Sequence, residues 1–78
     1  MLIDYREIRD RIFELCRENG LRPDFPETTR AGRVLLVWSQ DQRVVARAFI
    51  PTRADAGLVV LGRLRDDLAG IFGEGWMD

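Results

Sequence analysis

The side chains in this chain with the most chemistry to offer are twelve basic residues, all arginine, and one cysteine; there is no histidine. Histidine is the usual base near neutral pH and the usual metal ligand, so its absence excludes the familiar Ser-His and Cys-His nucleophile pairs. Cys16 stands four residues after Ile12 on what reads as the apolar stripe of a helix. A thiol buried there has a raised pKa and is a poor nucleophile. Ser39 lies in a turn with no base near it in sequence, and Asp66 and Asp67, adjacent on a predicted helix, point in different directions. Asp10, Glu14 and Glu18 make a ridge of like charge, but Arg6, Arg11 and Arg17 surround it. Hard cations need oxygens converging from more than one element, so the ridge reads as a solvated face. Gly70, Gly73 and Gly75 have the spacing GxxGxG, yet no helix follows to offer amide donors to a phosphate. The expectation is a protein with no catalytic residue, no metal and no cofactor.

The arginines are better suited to binding than to catalysis, because a planar guanidinium grips carboxylate or phosphate with two parallel hydrogen bonds. GC-rich coding also yields an all-arginine set, so their placement matters. Residues 1–21 hold four Arg against five acids, residues 22–53 six against three, and residues 54–78 two against five. The middle of the chain is therefore +3 and its end −3, within an overall charge of −1.

The chain is 78 residues long with 46% hydrophobic and 32% charged residues. That composition suits one soluble domain spanning 1–78, small enough that stability is marginal. A lone cysteine cannot form an internal disulfide, and a reducing, cytoplasmic setting is the simplest expectation. The opening MLIDYREIRDR is charged from Asp4 onward, and no run approaches the ~20 apolar residues of a membrane span.

The elements that must position these side chains are marked by periodicity and punctuation. Tyr5, Ile8, Ile12, Leu15 and Cys16 recur at helical spacing, Asp4 and Glu7 suit a capping box, and Asn19-Gly20 ends the run. A helix is predicted over 4–19, with Glu7 and Arg11 an ion pair on its surface. Residues 20–32, with two prolines, read as a loop pinned to the core by Phe25, and PDFP within it is too common a PxxP match to imply polyproline recognition. Strands are predicted over 33–38 and 43–50 with a turn between them. A two- or four-residue loop sets Trp38 opposite Arg43, Leu36 opposite Val45 and Val34 opposite Arg47; an odd-numbered loop changes the register. Thr52 with Asp55 suggests the next helix start, and Leu58, Leu61, Leu64, Leu68, Ile71 and Phe72 lie on one stripe, predicting a helix over 53–72 and a tail over 73–78. The alternative takes GLVVL, 57–61, as a third strand, because Gly57 and Gly62 bracket a β-branched pair. The fold expected is α+β: a single small αββα domain, or αβββα on the alternative.

Alternation divides the hairpin into two faces. Leu35, Val37, Val44, Ala46, Ala48 and Ile50 make a smooth one suited to helix packing, while Val34, Leu36, Trp38, Arg43, Val45, Arg47 and Phe49 make one that is large, aromatic and arginine-bearing. Two arrangements follow. The helices sandwich the hairpin, one per face, with Arg43 stacked on Trp38, or both cover the smooth face and leave the aromatic one as a partner-binding surface. Trp76 either folds onto the core or joins that surface as an anchor.

The resulting expectation is a non-catalytic protein-binding module, homodimeric in one form, of the small enzyme-free kind found among phage and mobile-element inhibitors such as anti-CRISPR proteins. That placement rests on size and on the absence of catalytic chemistry. The alternative is a nucleic-acid binder using Arg22, Arg30, Arg33, Arg43, Arg47 and Arg53 with Trp38 and Phe49 as stacking platforms, against which the net charge stands. The acids of residues 54–78 are too few and scattered for a DNA mimic. The αββα order is also similar to that of the lambda-type head-to-tail connector proteins of phages, which are short and set a hairpin between two helices. That resemblance covers the whole chain in architecture, without a shared motif, and implies a structural connector role.

Overall fold

The computed structural model describes residues 1–53 and 57–78. Two helices flank, along the chain, a three-stranded antiparallel sheet in the order α1 (Tyr5–Glu18), β1 (Arg22–Thr28), β2 (Gly32–Trp38), β3 (Val44–Pro51), α2 (Leu58–Phe72). The sheet order is β1-β2-β3, so β2 is central and both other strands are edges. The fold is α+β with three strands and the order αβββα. The third strand is Arg22–Thr28, inside the expected loop, and not 57–61, where Leu58–Leu61 begin α2.

α1 matches its expected span to a residue at each end. Asp4 caps it through its backbone alone, without the side-chain bond a capping box would make. Its end is fixed by Gly20 at φ +67° and by the Leu21 N–H donating to the Cys16 carbonyl at 2.8 Å, the wrap-back bond that glycine permits. Arg11 does not pair with Glu7; it turns to Glu14 at 3.2 Å and donates to the Trp76 carbonyl at 3.1 Å.

β1 forms despite its prolines because it is an edge. Pro23 lies opposite Val37 and Asp24 opposite Leu36, and the register then slips before Glu27 meets Val34. A proline is tolerated where its missing N–H would face away from the neighbouring strand, and the slip absorbs Pro26. Thr29 closes the β1–β2 turn, its N–H donating to the Gly32 carbonyl at 2.8 Å. Gly32 is held to glycine by close approach: a Cβ there would lie 2.3 Å from the Ile50 carbonyl oxygen and 2.7 Å from the Phe49 ring.

The β2–β3 register differs from the expected one, by one residue where Trp38 faces Val44 and by two where Leu36 faces Arg47 and Val34 faces Phe49. Two irregularities cause this. The Ser39 N–H donates to the Arg43 carbonyl at 2.8 Å across a five-residue loop, with Gln42 at φ +66°. An odd loop reverses the alternation of β3, which places Val44 beside Trp38 and not in the core. A bulge at Val45 restores it, so Ala46, Ala48 and Ile50 return to the inner side.

Both helices and the C-terminal tail pack on that inner side. Ile8, Ile12, Leu15 and Cys16 of α1, Leu35, Val37, Ala48 and Ile50 of the sheet, Leu61, Leu64 and Leu68 of α2, and Trp76 with Met77 form one buried cluster. The shortest dimension of the molecule is 17 Å, which holds a sheet and one helical layer of about 10 Å. The arrangement with one helix on each face of the hairpin is not the one adopted. Leu58, expected on the buried stripe, is exposed at the start of α2. Arg53 is not helical, and Asp55, expected to help start that helix, lies outside the described residues.

Candidate functional site

The uncovered face of the sheet is built by the outward residues of three strands. β1 supplies Arg22, Asp24 and Glu27, paired with Trp38, Leu36 and Val34 of β2; β3 supplies Val44, Arg47 and Phe49. Val34, Leu36 and Trp38 are half-buried by their neighbours in the sheet, while Val44, Val45 and Phe49 are exposed by 46%, 42% and 38%. An aliphatic and aromatic centre thus lies open, and the charged residues on it are Arg22 and Arg47 against Asp24 and Glu27.

The expected partner-binding residues fall into three groups. Val34, Leu36, Trp38, Arg47 and Phe49 come together on this face as alternation placed them. Arg43 and Val45 are displaced: Arg43 sits in the turn, 81% exposed and 3.4 Å from Asp41, and Val45 is the bulge residue. The cation over the Trp38 ring is Arg22, at 5.6 Å, and not Arg43. Arg22 sits directly across from Trp38, a contact hidden from sequence while 20–32 reads as a loop. Trp76 is 2% exposed, edge-on to Phe72 at 5.8 Å with its indole N–H donating to the Arg65 carbonyl at 2.9 Å. It is a core residue and lies off the surface.

The remaining arginines are dispersed. Arg33 lies on the inner side, stacked 4.0 Å from the Phe25 ring and donating to the Tyr5 hydroxyl at 2.8 Å, so it clamps α1 to the sheet. Phe25 meets Phe13 edge-on at 6.0 Å and packs against the core, in a strand rather than a loop. Burial raises the Cys16 thiol from 9.0 to about 11. Among the described residues no three His, Cys, Asp or Glu side chains converge as metal ligands would, and no helix is long and apolar enough to cross a membrane.

A second feature adjoins the open face at the β3 edge. Phe49 of β3 and Val59, Val60, Arg63, Leu64 and Asp67 of α2 line a cavity of about 160 Å³. Val59 is 88% exposed and Val60 40%. The sequence did carry a signal for it: Val59 and Val60 fall off the leucine stripe, so the first turn of α2 is apolar all round.

No protein-family model, curated protein or solved structure matches the chain. The αββα order behind the resemblance to phage connectors is not the order observed.

Proposed function

We propose that this chain is a non-catalytic protein-binding module whose contact surface is the open sheet face centred on Leu36, Trp38, Arg47 and Phe49. The observation that supports it is the placement of both helices on one side of the sheet, which leaves aromatic and aliphatic side chains uncovered on the other. Tryptophan, phenylalanine and arginine are the residues that dominate interface energetics. A small inhibitor of the phage or mobile-element kind, acting by occluding a protein surface, would need such a face and nothing more.

The nucleic-acid reading is the weaker one. Arg22 and Arg47 share the face with Asp24 and Glu27, so its formal charge cancels, whereas phosphate binding needs a dominant basic patch. Arg33 is engaged within the fold, and Arg43 stands at the far turn beside Asp41. The test is affinity capture from host lysate, with and without nuclease. A discrete protein should be retained in both conditions and lost from Trp38→Ala and Leu36→Glu chains that melt like the wild type. Capture that nuclease abolishes, or that both variants retain, overturns the proposal.

A further inference from the structure

We propose that the β3 edge and the groove beside it form a strand-addition site for an extended segment of a partner protein, one carrying a branched aliphatic side chain next to a carboxylate. The inference rests on the protein-binding reading above and specifies how the partner's backbone is held.

The two edges of the sheet are not equivalent. β1 is blunted by Pro23, by Pro26 and by its slipped register, devices that prevent further strands from pairing. β3 has its own bulge at Val45 and ends in Pro51, but between them residues 46–50 pair regularly with β2 and hold no proline. Its phase is fixed by the Thr52 N–H, which donates inward to the Ala31 carbonyl at 3.1 Å. By antiparallel alternation, Ala46, Ala48 and Ile50 bond to β2, and the N–H and C=O groups of Arg47 and Phe49 project outward. An extended backbone is the chemical group that satisfies such a row of alternating donors and acceptors.

The groove supplies selectivity. The 160 Å³ cavity between Phe49 and the Val60 and Leu64 side chains suits one branched aliphatic group. It continues into a second hollow bounded by Val34, Arg47, Ala48, Phe49, Arg63 and Asp67. Arg63 is 84% exposed and only 3.9 Å from Asp67, a loose pair. Arg47 is exposed and makes no ion pair among the described residues. Two guanidinium groups against one carboxylate leave the groove with a net positive charge, complementary to an acidic residue beside the aliphatic one.

The probe is a displayed library of random ten-residue peptides, selected on the immobilised full chain. Enriched sequences should alternate aliphatic residues with Asp or Glu. A synthetic consensus peptide should slow amide hydrogen exchange at Arg47 and Phe49 at least tenfold more than at the β1 amides. Arg47→Pro, which removes one outward N–H, and Arg63→Glu should each weaken binding tenfold or more, while Glu18→Gln on the exposed side of α1 leaves it within threefold. Should Arg47→Pro fail to fold, Val60→Asp on the exposed turn of α2 takes its place. Absence of enrichment, or binding indifferent to the edge and groove variants, overturns the proposal. Protection of Arg47 and Phe49 that grows with protein concentration alone also overturns it, because a second copy then holds the edge. Peptide failure alongside Trp38-dependent capture overturns the edge site and leaves the open-face reading standing. Peptide binding without any Trp38-dependent capture does the reverse.

Discussion

Cys16 illustrates how much of a side chain's chemistry is set by what surrounds it. The thiol is 1% exposed among Ile12, Leu15 and the sheet, and burial disfavours the thiolate, lifting its pKa from 9.0 to about 11. Because the folded value is the higher one, the folded state holds the proton more tightly than the unfolded state. The stability this contributes is complete below pH 9 and is lost as pH rises from 9 to about 11. Two pKa units correspond to about 2 to 3 kcal/mol. Urea titrations of wild type and Cys16→Ala across that window should show a steeper alkaline loss in the wild type; other groups titrating there cancel in the comparison. Parallel slopes would refute the assignment. The stripe position of Cys16 was legible from its spacing to Ile12. The role of Arg33 was not, because its partners Phe25 and Tyr5 come from β1 and α1.

Among the elements, α1 is legible in the sequence almost whole and β1 is not. α1 is a local structure with an apolar period and a glycine stop, all visible within eighteen residues. β1 violates strand preference at Pro23 and Pro26, and only its place at the sheet edge makes those prolines harmless. α2 lies between these cases. Its leucine stripe outweighed the glycines that suggested a strand, because Leu61, Leu64 and Leu68 gain burial only when the segment is helical. Those glycines still weaken it. A Cβ at Gly70 would meet nothing within 4 Å, and at Gly62 only the end of the Arg65 side chain at 3.8 Å. Replacing both with alanine should stabilise the domain by about 1.5 to 2 kcal/mol, since glycine costs up to about 1 kcal/mol per helical position. The urea midpoint should rise with an unchanged slope. A fall would mean that these positions need glycine for some other reason.

For the molecule as a whole, the chain ends hold the two helices together. Beyond the indole bond to Arg65, the Trp76 carbonyl accepts from Arg11 at 3.1 Å, and the Met77 carbonyl accepts from the Leu2 N–H at 2.7 Å. α1, α2 and both termini thus meet at one residue cluster. Trp76→Ala should cost about 3 to 5 kcal/mol. A domain of this size has only about 4 to 12 kcal/mol in total. Thermal unfolding followed by circular dichroism should show a large drop in midpoint or a partly unfolded chain at 25 °C. A change below 1 kcal/mol would show that the tail is dispensable.

The sequence by itself determined the α+β class, the two helices, the inner and outer residues of β2, and the lack of familiar catalytic groupings. Each of these depends on period, punctuation or inventory within a short window. The tertiary structure decided the rest. A loop of odd length and a bulge at Val45 together moved the register by two residues over 46–51, set Val44 beside Trp38 and displaced Arg43 and Val45 from their expected places. The burial available on the inner face drew both helices and Trp76 to it, so the aromatic face stayed open and lost its expected anchor. Pairing to β2 turned a proline-bearing segment into the strand whose Arg22 covers Trp38. These outcomes turn on which surfaces compete for one small core, and that competition is among residues far apart in the chain.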